Sequence, residues 1–552
     1  MKYGLKNSIG ACALAFILLV SCHGLEELNE NPNKIGSDNV DPNLLLANVI
    51  AEAAKSTVNL GFGDIAGVMQ HTQKDGWSGG HNAYDWRNDS HSWNGYYSLL
   101  LDNRTLIAKA EEENLEFHIG VGLVMKSYLF GLVTDLWGDA PYSDALRGSE
   151  GAEFFDAPFD DQMDIYTGIF ADLGRANTLL SKGQNAYSGI QASQDILYAG
   201  DASKWRKFAN SLAVRFYMRL SAKEPSLAEE GLRRILSNPQ QFPLILDVSD
   251  DANVAYVGTS PDNAWPTNTE FDDDPQGSYF RIKMAATLVD ALQSLNDPRL
   301  GVWANPVETP IVLDPNAAGG DEIIDGERHV SQKLVDDHLD VVGVPVDFDK
   351  DYVGLPTQIT LGPAFNLKKE FNQGSYNPHV SQLNDIYKDA SGPLLQSRLS
   401  SAAEVHFIWA EAALKGWASG GAESHYNQGI KQSFEAWGVG GEYDDYISGE
   451  AAYGGTLEDI IEQKWIASWS SAAQSWFDYR RTGLPDLQTG PTAKRAALPL
   501  RFYYHIDEID NNSANAESAI EKLQPTSFKG EDSSNNSAWS KMWLLQGTNQ
   551  PY

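Results

Sequence analysis

Both cysteines of this chain, Cys12 and Cys22, lie within its first 22 residues, so whatever folds beyond them does so without a disulfide, a cysteine-ligated metal or a thiol nucleophile. Lys2 and Lys6 precede an apolar run from Ile9 to Val20, which leads into Ser21 and Cys22. Positive charge followed by a short apolar run and a small residue is the order of a secretory signal. The run is about a dozen residues, well short of the roughly 20 that a spanning helix needs. Leu19-Val20-Ser21-Cys22 also fits a lipobox, in which the cysteine takes a diacylglyceryl group and becomes the new N-terminus. The other reading is a plain secretory signal with an incidental cysteine. Residues 1–21 are thus expected to be a lipoprotein signal peptide and 22–42 a lipidated tether punctuated by Asn31-Pro32-Asn33, with one folded domain over 43–552. With 42% hydrophobic and 11% aromatic residues, that domain can be held together by an apolar core alone.

The formal charge is −34, and losing Lys2 and Lys6 takes it to −36. Such a surface repels nucleic acid and anionic lipid headgroups. It also disfavours polyanionic ligands unless Arg and Lys gather locally, so a neutral ligand is expected. No later stretch reads as a transmembrane helix, which leaves the lipid as the membrane attachment.

Helical periodicity dominates the body. Val121, Val124, Tyr128, Leu129, Leu132 and Leu136 form one apolar stripe, and Trp205, Phe208, Leu212, Phe216 and Leu220 another. Further helices are expected near 43–58, 96–113, 163–181, 226–238, 280–295, 401–417, 423–437 and 456–470. Short loops between them imply antiparallel pairs. No strict 34-residue repeat is visible, so a tetratricopeptide-like arrangement would be degenerate. Residues 60–95 and about 240–400 break the rhythm with Gly, Pro, Asn and Asp, yet are too aromatic for disorder. The expected fold is mostly α, a degenerate helical-pair scaffold presenting large irregular ligand-binding loops.

Four segments in order carry a family resemblance. They are Asp135-Leu136-Trp137-Gly138-Asp139-Ala140-Pro141-Tyr142; Asn296-Asp297-Pro298-Arg299-Leu300 followed by Tyr352-Val353-Gly354-Leu355-Pro356; Glu404 to Ala413 with Trp417; and Gln463 to Ala467 with Trp476 to Gly483. Together with the lipobox, they resemble the SusD/RagB outer-membrane nutrient-binding lipoproteins, in particular the SusD-like family 2 branch. Leu498 to His505 departs from that family's usual Pro-Arg-hydrophobic-x-Tyr-Pro segment. The resemblance implies a cell-surface, lipid-anchored outer-membrane protein, and Glu26 and Glu27 behind the cysteine resemble the family's surface-export signals. It implies binding of oligo- or polysaccharide and delivery to a SusC-like TonB-dependent transporter. Peptide uptake of the RagB type is an alternative within the family. The motif residues themselves read as structural: Gly138 as a left-handed helix cap, and Arg480-Arg481 with Asp478 as a partly buried ionic network.

Glycan capture needs flat rings for sugar faces and nearby amides or carboxylates for hydroxyls. In the Gly-rich stretch 73–97, Trp77, Tyr84 and Trp86 are expected to lie in loop with Asn82 and Asp85 beside them, whereas Trp93, Tyr96 and Tyr97 lead into a helix and belong to the core. Trp265, ahead of Pro266 in an Asn/Asp-rich loop, and Tyr352 are further candidates. Trp137 and Trp409 are expected to be core. His71, His81 and His91 are ten apart, which matches no common zinc spacing, and read as solvent-facing loop histidines. Asp272-Asp273-Asp274 leaves structural calcium open without an EF-hand pattern, and no cofactor is expected. No Walker loop occurs, and a carboxylate pair arises by chance among 75 acidic residues. A non-catalytic binding protein is therefore favoured over a lipid-anchored glycoside hydrolase.

Overall fold

The computed structural model describes residues 41–76, 78–274, 277–368 and 376–552. The signal peptide, the lipidation position Cys22, the export-signal glutamates and Trp77 lie outside the described residues.

The scaffold is built from helices α1 (Pro42–Gly61), α2 (Asn94–Glu112), α3 (Glu116–Trp137), α4 (Gln162–Leu179), α5 (Ala202–Arg219), α6 (Pro225–Leu236), α7 (Ala402–Leu414), α8 (Ala422–Ala436), α9 (Leu457–Ala467) and α10 (Ala472–Thr482). Local chemistry sets their starts. The Asp41 carboxylate accepts from Asn43 N at 2.9 Å ahead of Pro42, and Thr456 with Asp459 closes a capping box on α9. Successive helices α2 to α6 pack pairwise, and α7 packs on both α8 and α9. This is the mostly helical, tetratricopeptide-like architecture expected from the periodicity.

Two expectations about the scaffold change. Helix α3 does not present a stripe; it is buried on every side because α2, α4, α5 and α1 all pack on it. It is also long and apolar enough to cross a membrane, contrary to the expectation for the chain, but almost all of it lies inside the protein core. The helix anticipated over 280–295 is instead a short turn Ser278–Arg281, a strand Ile282–Met284 and a helix Ala286–Ser294. The strand forms because Ile282–Met284 pairs antiparallel with Thr72–Lys74, a long-range partner that periodicity cannot see.

The irregular region contributes a small lobe. Its three-stranded sheet has Glu327–Val330 in the middle, parallel to Ile311–Leu313 and antiparallel to Asp321–Ile324. Helix Gln332–Val342 accompanies it, and two small apolar clusters, around Val342 with Phe365 and around Ile311 with Val330, hold the lobe together.

The family-type segments interlock. Arg501, fully buried, donates to Trp137 O at 3.1 Å; Phe502 N donates to Leu136 O; Trp137 Nε1 donates to Tyr503 O at 2.9 Å; and Tyr504 OH donates to Asp139 O. The departing segment 498–505 is thus clamped to the end of α3. Gly138 has φ +101° and ψ −128°, a conformation open to glycine but different from the left-handed cap expected. The ionic network is fully rather than partly buried. Arg481 bonds Glu411 Oε2 at 2.7 Å and Asp478 at 2.9 Å, and Lys464 meets Asp478 at 2.7 Å. These opposing charges hold the Asp478 carboxyl far below the usual range despite its burial.

Candidate ligand-binding face

Most sequence-chosen aromatics prove to be core. Trp86 is 0% exposed; its ring meets His91, Phe502 and Trp476 edge-on at centroid distances of 4.9, 5.2 and 5.9 Å, and its Nε1 donates to Gly80 O at 2.8 Å. Tyr84, also fully buried, caps the short Gly79–Ala83 helix with φ 57°. Trp265 is 1% exposed, packs against Phe62, Tyr256 and Tyr387, and donates to Thr267 Oγ1. These three are corrected from platforms to core residues.

The physical reason lies in packing by distant segments: Trp476 and Phe502 close over Trp86, and Phe62 and Tyr387 over Trp265. A Cβ at Gly67 would stand 2.1 Å from His81 O, and one at Gly61 2.2 Å from Ser470 O. The same crowding overturns the reading of the histidines. His71 and His81 are buried, and desolvation pushes each down to about 3; His91 is half-buried and stacks on Phe502 at 3.8 Å. Trp137 is core as expected, whereas Trp409 is half-buried at the edge, stacked on His425 at 4.3 Å.

The polar candidates divide. Asn82 pins the strand at Lys74, donating to its O at 2.7 Å and accepting from its N at 2.9 Å, so its amide serves the backbone. Asp85 is exposed, 3.5 Å from Lys494 Nζ. Tyr352 is half-buried beside Gly301. Asp272, Asp273 and Asp274 are exposed, and among the described residues no group of three metal-ligating side chains gathers.

A different arrangement has the shape of a site. Beside the small lobe, a cleft of about 310 Å³ is lined by Thr309, Ile323, Arg328, Lys368, Pro378, His379 and Tyr376, the last 49% exposed. The floor is rigid and polar. Arg328 bonds both oxygens of Asp321 at 2.9 and 3.0 Å and donates to Leu367 O. His379 Nδ1 lies 2.7 Å from Thr309 O and so carries the proton, which leaves Nε2 to accept from Arg328 at 3.0 Å. Lys368 pairs with buried Asp75 at 3.7 Å. Behind it Lys283, fully buried, donates to Gln382 Oε1 at 2.7 Å; desolvation pushes its ammonium down to about 8, with Asp75 opposing and Lys368 adding to the fall. An exposed aromatic side chain in one cleft with charge-compensated donors has the groups to stack on a sugar face and bond its oxygens.

The sequence reading missed this cleft. Ser375-Tyr376-Asn377-Pro378 satisfies the same criterion that selected Trp265, an aromatic near proline in polar company. Only burial separates the two.

A family model described as SusD-like, starch-binding and associating with the outer membrane, matches residues 32–331 and 350–505. No curated protein matches the chain. Among solved structures, an outer-membrane protein of Bacteroides vulgatus ATCC 8482 superposes with a TM-score of 0.69 at 23% identity, covering 92% of this chain and 100% of its own. A SusD homologue from Bacteroides fragilis NCTC 9343 gives 0.68 at 21% identity, with coverage of 92% and 100%. A chitin-binding SusD homologue from Flavobacterium johnsoniae gives 0.67 at 20% identity, with coverage of 91% and 99%.

Proposed function

The chain belongs to the SusD-like family of outer-membrane-associated, carbohydrate-binding proteins, and from that premise we propose that it captures oligo- or polysaccharide at the cell surface without cleaving it. The observation that carries this reading is that half-exposed Tyr376 lines one cleft with Arg328, Lys368 and His379. In the same proposal, Cys22 holds the protein to the outer membrane by its lipid. Bound glycan passes to a SusC-like TonB-dependent transporter, because a helical body with a lipid tether can hold a ligand but has no path to move it across a bilayer. A neutral glycan suits the −34 charge better than an acidic polymer.

Native affinity electrophoresis against starch, chitin oligosaccharides and other neutral glycans tests the reading. Retarded migration without new reducing ends, lost in Tyr376→Ala, is the expected result. Losing the platform should cost about 1–3 kcal/mol, or about 5- to 150-fold in affinity. Reducing-end release would establish hydrolysis instead, and capture of peptides but no glycan would establish the RagB-type alternative. Mild-detergent purification from native membranes should co-isolate a barrel protein; recovery of the chain alone at several salt concentrations counts against the transporter partnership.

A further inference from the structure

A second concave site, sharing no residue with the Tyr376 cleft, opens between α2, α3 and α4 and the turn that carries Tyr142 to Arg147. Its volume is about 460 Å³, room for one or two sugar rings and within the roughly 300–1,000 Å³ of small-ligand pockets. Leu100, Leu123 and Phe130, all buried, supply an apolar wall, and short Ala108 and Ala145 side chains leave the space unfilled.

Four cations gather around it. Arg104, Lys126, Arg147 and Arg175 line the cavity together with the carboxylates Glu111 and Asp172, while Asp144 and Glu150 pair with Arg147 and Arg104 from outside the lining. The cations are held in place. Lys126 meets Asp172 at 2.8 Å, Arg175 meets Glu111 at 2.8 Å, and Arg147 is fixed by Asp144 at 2.7 Å and Glu150 at 2.8 Å, neither of which lines the cavity. Arg104 pairs with Glu150 as well.

A second, independent observation points to a ligand. Asn103 is 1% exposed and lines the cavity. Its Nδ2 donates to Gly122 O at 2.9 Å, which fixes the amide and leaves Oδ1 buried with no hydrogen-bond partner among the described residues. A buried acceptor left unpaired costs about 1–3 kcal/mol, and a hydroxyl donor from a bound molecule would remove that cost.

We infer that this cavity binds a small hydroxylated carboxylate of the hexuronic acid class. The carboxylate meets the arginine side of the cavity, where planar guanidinium forks match its geometry. A ring hydroxyl donates to Asn103 Oδ1, and the C–H face lies on the leucine wall. The site is thus an acidic-sugar pocket separate from the neutral-glycan cleft.

The test is titration of the purified protein with D-glucuronate and with D-glucose by calorimetry, at low and high salt. Glucuronate should bind at least about tenfold more tightly than glucose and weaken as salt rises, since the discrimination is electrostatic. Ala108→Phe, which fills the cavity from an exposed helix position, should abolish glucuronate binding, and Arg147→Gln should weaken it about tenfold. Both variants should keep the wild-type circular dichroism spectrum and bind neutral glycan at the Tyr376 cleft as before. Equal affinity for the two sugars, no glucuronate binding by the wild-type protein, or binding that survives in folded Ala108→Phe would each overturn the assignment.

Discussion

Trp86→Ala separates a core tryptophan from a sugar platform. Trp86 is fully enclosed by Tyr84, His91, Trp476 and Phe502, and its Nε1 satisfies Gly80 O at 2.8 Å. Truncating a buried tryptophan costs about 3–5 kcal/mol, and leaving the Gly80 carbonyl unpaired adds about 1 kcal/mol. Unfolding entropy of about 2.1 cal/mol/K per residue, over roughly 500 residues, gives about 1 kcal/mol/K. A loss of about 5 kcal/mol should therefore lower Tm by about 5 °C if the body unfolds cooperatively. Differential scanning calorimetry and glycan electrophoresis on the same preparation provide the assay. The expected pattern is a lowered Tm with glycan retardation kept below the new transition. An unchanged Tm together with lost glycan binding would refute the burial argument and return Trp86 to the binding surface.

Other consequences are equally direct. Glu411→Gln should destabilise by about 3–5 kcal/mol, because it leaves Arg481 buried beside Asp478 with half its compensation, and urea unfolding at neutral pH measures this. His71 and His81 stay neutral in the fold, with pKa values of about 3 against 6.5 when unfolded. Their stabilisation is complete above pH 6.5 and falls as pH drops towards 3. Between pH 7 and 5 each loses about 2 kcal/mol, while Asp251, pushed up to about 7 by burial, takes a proton in the fold and returns about 2 kcal/mol. Desolvation lowers His425 as well, to about 4, so urea midpoints at the two pH values should show a net loss of stability at pH 5. Cys22→Ala should leave the protein folded but no longer partitioning into detergent in phase-separation assays, because the acyl chains supply the membrane affinity.

The scaffold was legible because helix formation and capping are local. Asp41, Asp201 and Thr456 mark starts with side chains that bond the next turn, and the apolar spacing of 202–219 needs no distant partner to be read. The four family-type segments were equally legible as structure, since charged residues among apolar ones, as in Asp478, Arg480 and Arg481, imply burial with compensation. Where a segment's conformation depends on a partner far along the chain, this reading fails. Ile282–Met284 looks helical alone and becomes a strand against Thr72–Lys74.

By itself, then, the sequence determined the exported, cysteine-free helical body, its family and the buried ionic network. Only tertiary structure decided which aromatics face ligand. Trp86 and Trp265 sit among glycine, asparagine and proline much as Tyr376 does, and composition cannot tell them apart. Packing can: His91, Trp476 and Phe502 close over Trp86, Phe62 and Tyr387 close over Trp265, and Tyr376 is left half in solvent. The reason is that exposure belongs to the whole assembly of segments around a side chain, whereas turn chemistry and periodicity report only its neighbours along the chain.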